Sequence, residues 1–166
     1  MIINIFLNDN IINGPSYLII TTGYIGLSLL VFILFMPILP ILSNYIDRSS
    51  LGITTFVYVL IHYFLYILDN NIEWMLIRND LFFRNYIQFG YIALVLFLPL
   101  FITSSNYAKE ILGNKWMSLH RLIYIIILSS MLHYYMIIKA DYFVFIMYLV
   151  ILIVILIIKY RKYSIK

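Results

Sequence analysis

Long apolar segments alternate with short polar ones along this chain, and the apolar segments are long enough to cross a lipid bilayer. Five segments are predicted, at residues 17–43, 51–68, 86–103, 117–138 and 142–159. Charged residues and turn formers cluster between them. A membrane-spanning helix needs roughly 17–25 mostly apolar residues. The pattern therefore predicts an all-α integral membrane bundle of about five transmembrane helices.

Composition supports the membrane assignment and limits the chemistry. Of the 166 residues, 64% are hydrophobic and 11% are charged, which is far too apolar for an ordinary soluble domain. The sequence contains no cysteine. This excludes thiolate-bound metals, iron–sulfur clusters, disulfides and cysteine-based catalysis in this chain. Histidine is therefore expected to supply the ligands of any metal.

The pattern predicts one helical domain at 17–160, with a surface tail at 1–16 before it and a short basic tail at 161–166 after it. The first residues have neither the preceding positive charge nor the small-residue cleavage site of a signal peptide. The turn at 139–141 is very short. The fourth and fifth segments are thus predicted to be antiparallel neighbours, unless they form one bent element.

Positive charges are unevenly distributed between the two sides of this topology. One side carries Arg48, Lys109, Lys115, Arg121, Lys159, Arg161, Lys162 and Lys166. The other side carries only Arg78, Arg84 and Lys139, together with five acidic residues. The positive-inside rule then predicts an external N-terminus and a cytoplasmic C-terminus. The net charge of +4 is explained by topology, and no nucleic-acid partner is expected.

The three histidines lie on the second and fourth segments, which run parallel in this topology. His120 and His133 are separated by about 19–20 Å along a helix axis, too far to ligate one metal ion together. His62 and His133 both fall in the outer half of the bilayer. A heme between them, with one axial imidazole from each segment, is the simplest interpretation.

Two other interpretations of the histidines stay open, namely interhelical hydrogen bonds and a proton path. A zinc site is less favoured, because zinc needs more ligands at one depth. The small residues Gly23, Gly26, Ser28 and Gly90 also have two interpretations. They allow backbone to approach a macrocycle, or they serve helix packing, the commoner use of small residues in membranes. Trp74 and Trp116 are interpreted as interfacial residues.

Four stretches carry a resemblance to a known family. They are TTGYIGLSLL, DRSSLGITTFVYVLIHYFLY, FRNYIQFGYIALVLFLPLFITSS and LGNKWMSLHRLIYIIILSSMLHYYMIIK. Over residues 20–160 the chain resembles the MsrQ (YedZ) family, the heme-binding membrane subunits of the periplasmic methionine sulfoxide reductase system. That family lies within the ferric-reductase-like transmembrane superfamily. The most specific element is W-x-x-L-H-R-L-x-Y, with H-Y thirteen residues after its histidine.

The resemblance implies b-type heme ligation through His62, His120 and His133. It implies an outer heme held by His62 and His133. An inner heme would have His120 and no obvious second histidine, because Arg48 stands fourteen residues before His62. Arg48 and Arg121 are expected either to pair with heme propionates or a donor phosphate, or simply to anchor the chain at the membrane surface.

The function implied by the resemblance is transmembrane electron transfer in the bacterial inner membrane. One or two b-type hemes would carry electrons from the quinol pool or a cytoplasmic flavin reductase. The acceptor would be a periplasmic molybdopterin reductase of methionine sulfoxide (MsrP-like), and this subunit would need no catalytic residue of its own. FMN or a quinone stays open as a further cofactor.

Two departures from the family are expected. The extra N-terminal helix usual in MsrQ is not apparent, and the cytoplasmic tail is very short. No flavin- or nicotinamide-binding domain is recognised. Three alternatives remain: a heme b anchor of another respiratory or ferric-reductase-type complex, a non-redox helical membrane subunit, and a proton channel. The channel is weakened because no acidic residue lies inside a predicted span.

Overall fold

The computed structural model describes residues 14–139 and 142–164. Its helices are α1 Gly14–Phe35, α2 Arg48–Asp69, α3 Trp74–Phe83, α4 Asn85–Ile102, α5 Asn106–Leu112, α6 Asn114–His120, α7 Ile123–Ile137 and α8 Phe143–Ser164. Two 3₁₀ turns, Met36–Ile38 and Pro40–Asn44, connect α1 to α2. These described ranges form an all-α bundle, as predicted. Most of the predicted surface tail, residues 1–13, lies outside them.

Local sequence explains where several helices begin and end. Pro37 lies in the 3₁₀ turn that follows α1, where the α-helix ends because proline cannot donate a helical hydrogen bond. Asp47 caps α2, since its carboxylate accepts a hydrogen bond from the Ser50 amide at 2.8 Å. Gly113 separates α5 from α6 with a φ of 48°, a conformation that glycine adopts readily.

Four helices within the described residues are long and apolar enough to cross a membrane: Gly14–Ile38, Arg48–Asp69, Asn85–Ile102 and Phe143–Arg161. The predicted segment 117–138 is instead divided into α6 and α7. Arg121 and Leu122 between them keep right-handed helical dihedrals but form i→i+3 hydrogen bonds. A short 3₁₀ stretch therefore joins the two helices.

Two short helices lie where the sequence pattern predicted loops, and that prediction was wrong. α3 occupies most of the predicted loop 69–85, and α5 lies in the predicted loop 104–116. They contain 10 and 7 residues respectively, far too few to span a bilayer. Because charged and amide residues interrupt both, a hydropathy pattern does not separate them from the neighbouring polar segments.

The long helices pack in pairs. α1 packs along α2, and α4 packs along α7. Helix α8 runs antiparallel to α7: Tyr134 near the end of α7 contacts Phe145 near the start of α8, while Tyr124 at the start of α7 contacts Lys159 near the end of α8. The prediction of antiparallel neighbours is confirmed.

One apolar core joins the long helices. It contains Leu27, Leu30 and Leu34 of α1, Phe56 of α2, Phe97 of α4, Ile126 of α7 and Ile155 of α8, among others. Many large apolar side chains of these helices point outward, as expected of a bundle surrounded by lipid. The chain is therefore a multi-pass membrane protein. Below, the end of the bundle that carries α3 is called the α3 end, and the opposite end is called the α6 end.

Candidate heme-binding site

A cavity of about 660 Å³ lies between α1, α2, α4 and α7 and opens at the α3 end. His62 of α2 and His133 of α7 both line it. Their ring centres are 6.1 Å apart and their ring planes are inclined at 88°. The structure thus brings together two of the three sequence-predicted histidines.

The His62 imidazole rests against the backbone of α1. A Cβ added at Gly23 would lie 3.1 Å from the Cε1 atom of the ring, closer than almost all real contacts. His62 Nδ1 lies 2.9 Å from the carbonyl oxygen of Ile19, four residues before Gly23. The glycine leaves room for the ring to reach a carbonyl of the preceding helical turn.

The His133 imidazole is held in the same way against α4. A Cβ at Gly90 would lie 3.1 Å from its Nδ1 atom. That Nδ1 atom is 2.6 Å from the carbonyl oxygen of Tyr86, again four residues before the glycine. Each imidazole therefore has a seat formed by a glycine and the carbonyl one turn earlier.

These seats determine what the imidazoles can do. A carbonyl oxygen only accepts hydrogen bonds, so each Nδ1 must carry a proton and donate it. In a neutral imidazole the lone pair then lies on Nε2. This arrangement, an Nδ1–H donated to a backbone carbonyl with Nε2 left for the metal, is the usual second shell of a metal-bound histidine.

The residues present fit a bis-histidine heme. Imidazole nitrogen binds a first-row metal at about 2 Å, and the ring centre lies about 1 Å behind that nitrogen, so two rings on opposite sides of one ion have centres about 6 Å apart. The observed separation is 6.1 Å. The described residues contain no cluster of three or more His, Cys, Asp or Glu side chains of the kind that zinc requires. The walls are mostly apolar, which suits a macrocycle.

The four small residues singled out in the sequence have different uses. Gly23 and Gly90 make room for the imidazoles. A Cβ at Gly26 would make an ordinary 3.5 Å contact with Val59, so this glycine serves close helix packing. Ser28 Oγ lies 2.6 Å from the hydroxyl of Tyr148 and joins α1 to α8. Both sequence interpretations were incomplete, because the closest neighbour of two glycines is a histidine ring.

His120 lies outside this cavity, at the α6 end. Its ring stacks on Trp116 with centroids 3.9 Å apart, and its Nε2 atom is 3.1 Å from the Thr103 hydroxyl. The indole nitrogen of Trp116 donates to the Thr103 carbonyl at 2.8 Å. The separation of His120 from the other two histidines agrees with the spacing argument from the sequence.

Neither predicted arginine lines the cavity. Arg48 begins α2 at the α6 end, close enough to His120 and Lys159 to interact with them electrostatically. Arg121 is exposed and donates to the Ser118 hydroxyl at 3.2 Å. A role for either arginine would belong to the α6 end of the bundle.

The polar residues at the α3 end of the cavity were not predicted from the sequence. Arg84 lies 3.0 Å from Asp80 through its Nε atom and donates to the Tyr86 hydroxyl at 3.0 Å. The Tyr86 hydrogen bond and the nearby Asp80 charge raise the pKa of Arg84 above its ordinary value, so its guanidinium stays charged. The i, i+4 spacing of Asp80 and Arg84 was the available signal, but it falls in a segment interpreted as a loop.

A comparison with known proteins matches the helices that form this cavity. Residues 22–131 match the family described as "Ferric reductase like transmembrane component". The chain belongs to this family. The matched range includes His62 and His120 and ends two residues before His133.

Similar proteins agree with the resemblance noted in the sequence. The chain is 39% identical over 94 residues to the protein-methionine-sulfoxide reductase heme-binding subunit MsrQ of Brucella ovis, and equally to those of Brucella canis and Brucella suis. The alignment covers 56% of this chain and 43% of each relative. The match thus spans less than half of the length of these relatives. No solved structure matches the chain.

Proposed function

We propose that this protein transfers electrons across a membrane through b-type heme, with His62 and His133 as the axial ligands of one heme. The observation that carries the proposal is the pair of seated imidazoles facing one cavity. Membership of the ferric-reductase-like family and similarity to heme-binding MsrQ subunits support it.

Bound heme would supply reversible one-electron chemistry at its iron. The residues of this chain supply binding, orientation and surroundings. The carbonyls of Ile19 and Tyr86 fix the tautomer of each imidazole and make its Nε2 a better donor to the metal. The apolar helices exclude water from the site.

The direction of transfer is part of the proposal. We place the α3 end on the periplasmic side of the inner membrane and the α6 end in the cytoplasm, from the distribution of positive charge. The donor would be the quinol pool or a cytoplasmic flavin reductase, and the acceptor a periplasmic molybdopterin reductase of the MsrP kind. The names of the MsrQ relatives support the acceptor.

The α6 end supports a second, less complete site. His120 would be its single histidine ligand, and Arg48 and Arg121 would contact a propionate or a donor phosphate. Resemblance to MsrQ supports this site. The present contact of His120 Nε2 with Thr103 would have to open for His120 to bind iron through that atom.

Proteoliposomes test the proposal. The full chain is loaded with heme and reconstituted with a membrane-impermeant oxidant trapped inside and, outside, either a quinol or a flavin reductase supplied with NADH. The trapped oxidant should be consumed only when the heme-loaded protein is present. His133→Ala protein, which keeps His62 and His120, is the matched control. Equal consumption by wild type and control would contradict electron transfer through this site.

A further inference from the structure

The cavity has two chemically different ends. Its deep part is lined by Gly26, Leu27, Leu30, Val59, Ala93 and Leu94. Its mouth at the α3 end is lined by Asp69, Asn70, Asp80, Arg84 and Lys139. An occupant that suits both ends has an apolar body and charged groups along one edge.

The mouth is built around a buried carboxylate. Asp80 is 7% exposed, although it belongs to a short surface helix. Its Oδ2 atom accepts a hydrogen bond from the Tyr66 hydroxyl of α2 at 3.0 Å, and its Oδ1 atom is 3.0 Å from Arg84 Nε. Both carboxylate oxygens are therefore engaged, and the charge of Asp80 is balanced by Arg84.

Arg84 is held on two sides and lines the cavity, and its side chain is 54% exposed. Its Nε atom forms an ion pair with the Asp80 carboxylate, and its Nη1 atom donates a hydrogen bond to the Tyr86 hydroxyl. Because Nε and Nη1 are both held, the orientation of the guanidinium is fixed before a carboxylate binds to it.

The same network is connected to the heme ligand. The backbone carbonyl of Tyr86 accepts the hydrogen bond of His133 Nδ1. Arg84 precedes Gly90, the residue that makes room for His133, by six residues, or about 9 Å along an ideal helix. The guanidinium therefore lies beyond the histidine pair in the direction of the mouth, where the edge of an occupant would emerge.

A purely structural ion pair would not account for every contact of Asp80 and Arg84. An exposed i, i+4 pair requires neither burial of the carboxylate nor a tyrosine from a third helix. Here α2, α3 and α4 all contribute, and their polar groups converge on the cavity. The arrangement fixes a guanidinium at the mouth of the cavity.

We propose that Arg84, positioned by Asp80, Tyr66 and Tyr86 and assisted by Lys139, binds the propionate carboxylates of heme at the α3 mouth. This rests on the proposed function, since it takes heme as the occupant. Binding there would orient the heme, so that its propionate edge faces the α3 end and its apolar edge faces the deep part of the cavity.

The test compares heme with heme dimethyl ester, which keeps the iron and macrocycle but has no carboxylate charge. Full-length apoprotein in detergent is titrated with each compound, and the ratio of the two affinities is the readout. Comparing this ratio between variants cancels the different partition of the ester into micelles. Arg84→Gln should reduce the preference for heme over its dimethyl ester by about tenfold, the size expected for a lost charge-assisted hydrogen bond.

The controls separate Arg84 from general effects of charge and folding. Arg78→Gln removes an exposed arginine of α3, the helix that ends just before Arg84, and should leave the ratio as in wild type. Arg84→Lys keeps the charge and should retain most of the preference. Lys139→Gln, on a connecting residue outside the network, should lower the preference less and provides a reading even if Arg84→Gln does not fold.

The outcomes are distinct. An unchanged ratio in both Arg84→Gln and Lys139→Gln overturns propionate binding at the mouth, while a b-type spectrum in those proteins leaves the proposed function standing. If wild type binds neither compound, the proposed function fails, and this inference fails with it.

Discussion

At the scale of single residues, two glycines matter because they have no side chain. Gly23 and Gly90 each give an imidazole access to a backbone carbonyl one turn earlier on the same helix. The hydrogen bond formed there orients the ring. Small residues in membrane helices usually allow helices to pack closely, but here they also position candidate metal ligands.

Gly23→Ala and Gly90→Ala should each weaken heme affinity by about tenfold or more, the usual cost of disturbing the second shell of a metal ligand. The added methyl group would push against His62 or His133. Gly52→Ala is the matched control, because a Cβ there meets nothing within 4 Å. That control should keep its heme and gain stability, by about 0.5–1 kcal/mol, from its better helix propensity. Heme titration monitored by absorbance gives the affinities, and normal binding by both seat variants would contradict the role of the glycines.

The three histidines should respond differently to substitution. His62→Ala and His133→Ala should each abolish the heme between them, because each removes one axial ligand. His120→Ala should leave that heme at least partly loaded, since His120 lies outside the cavity. Heme content per chain after purification is the measurement. Equal total loss in all three variants would contradict sites at two depths.

At the scale of helices, α3 joins the ends of two membrane-crossing helices through very short connections. Residues 70–73 link it to α2, and Arg84 alone links it to α4. Its exposed side chains include Trp74, Phe82 and Phe83. Short connections to two spans keep this helix near the membrane surface, where exposed aromatic residues favour the interface.

Trp74 should therefore contact lipid near the headgroups. The chain has two tryptophans, so Trp116→Phe leaves Trp74 as a single fluorophore. In vesicles, lipids brominated near the headgroup should quench its emission more strongly than lipids brominated near the chain ends. Trp74→Phe, which leaves Trp116, provides the comparison. Absence of quenching by either lipid would show that α3 is covered by something other than lipid.

The cap of α2 gives a pH-dependent prediction. Hydrogen bonds from Ser50 lower the pKa of Asp47 below its ordinary value of 3.8. Its contribution to stability should be fully present above about pH 4 and should be lost as the pH falls through the lower folded-state value. At neutral pH, Asp47→Ala should cost about 1 kcal/mol of unfolding free energy. Thermal unfolding in detergent measures this, with Glu110→Ala as a charge-matched control; equal effects would argue against capping.

The sequence predicted the membrane class and the long helices because hydropathy and length suffice for spans such as α1, α2 and α4. It also placed His62 and His133 together, since depth follows from helix topology. It did not reveal the glycine seats, because contacts between α1 and α2 depend on which helix faces meet. Nor did it reveal Arg84, whose partners come from α2, α3 and α4 and are distant from one another in the sequence.

At the scale of the whole molecule, the positive-inside rule orients the bundle, and the absence of cysteine makes this easy to test. A single cysteine at Asn79 on α3 should react with a membrane-impermeant maleimide in intact spheroplasts. A cysteine at Asn114 on α6 should react only after the membrane is opened. The reverse pattern would invert the proposed direction of electron transfer.

We propose that the two seated imidazoles hold a b-type heme. The most direct measurement is a dithionite-reduced minus oxidised visible spectrum of the purified full chain, expressed with adequate heme supply, with the heme quantified as its pyridine complex. We expect a b-type spectrum with one or two hemes per chain. A folded but colourless protein would contradict it and would leave the histidines as polar contacts between helices.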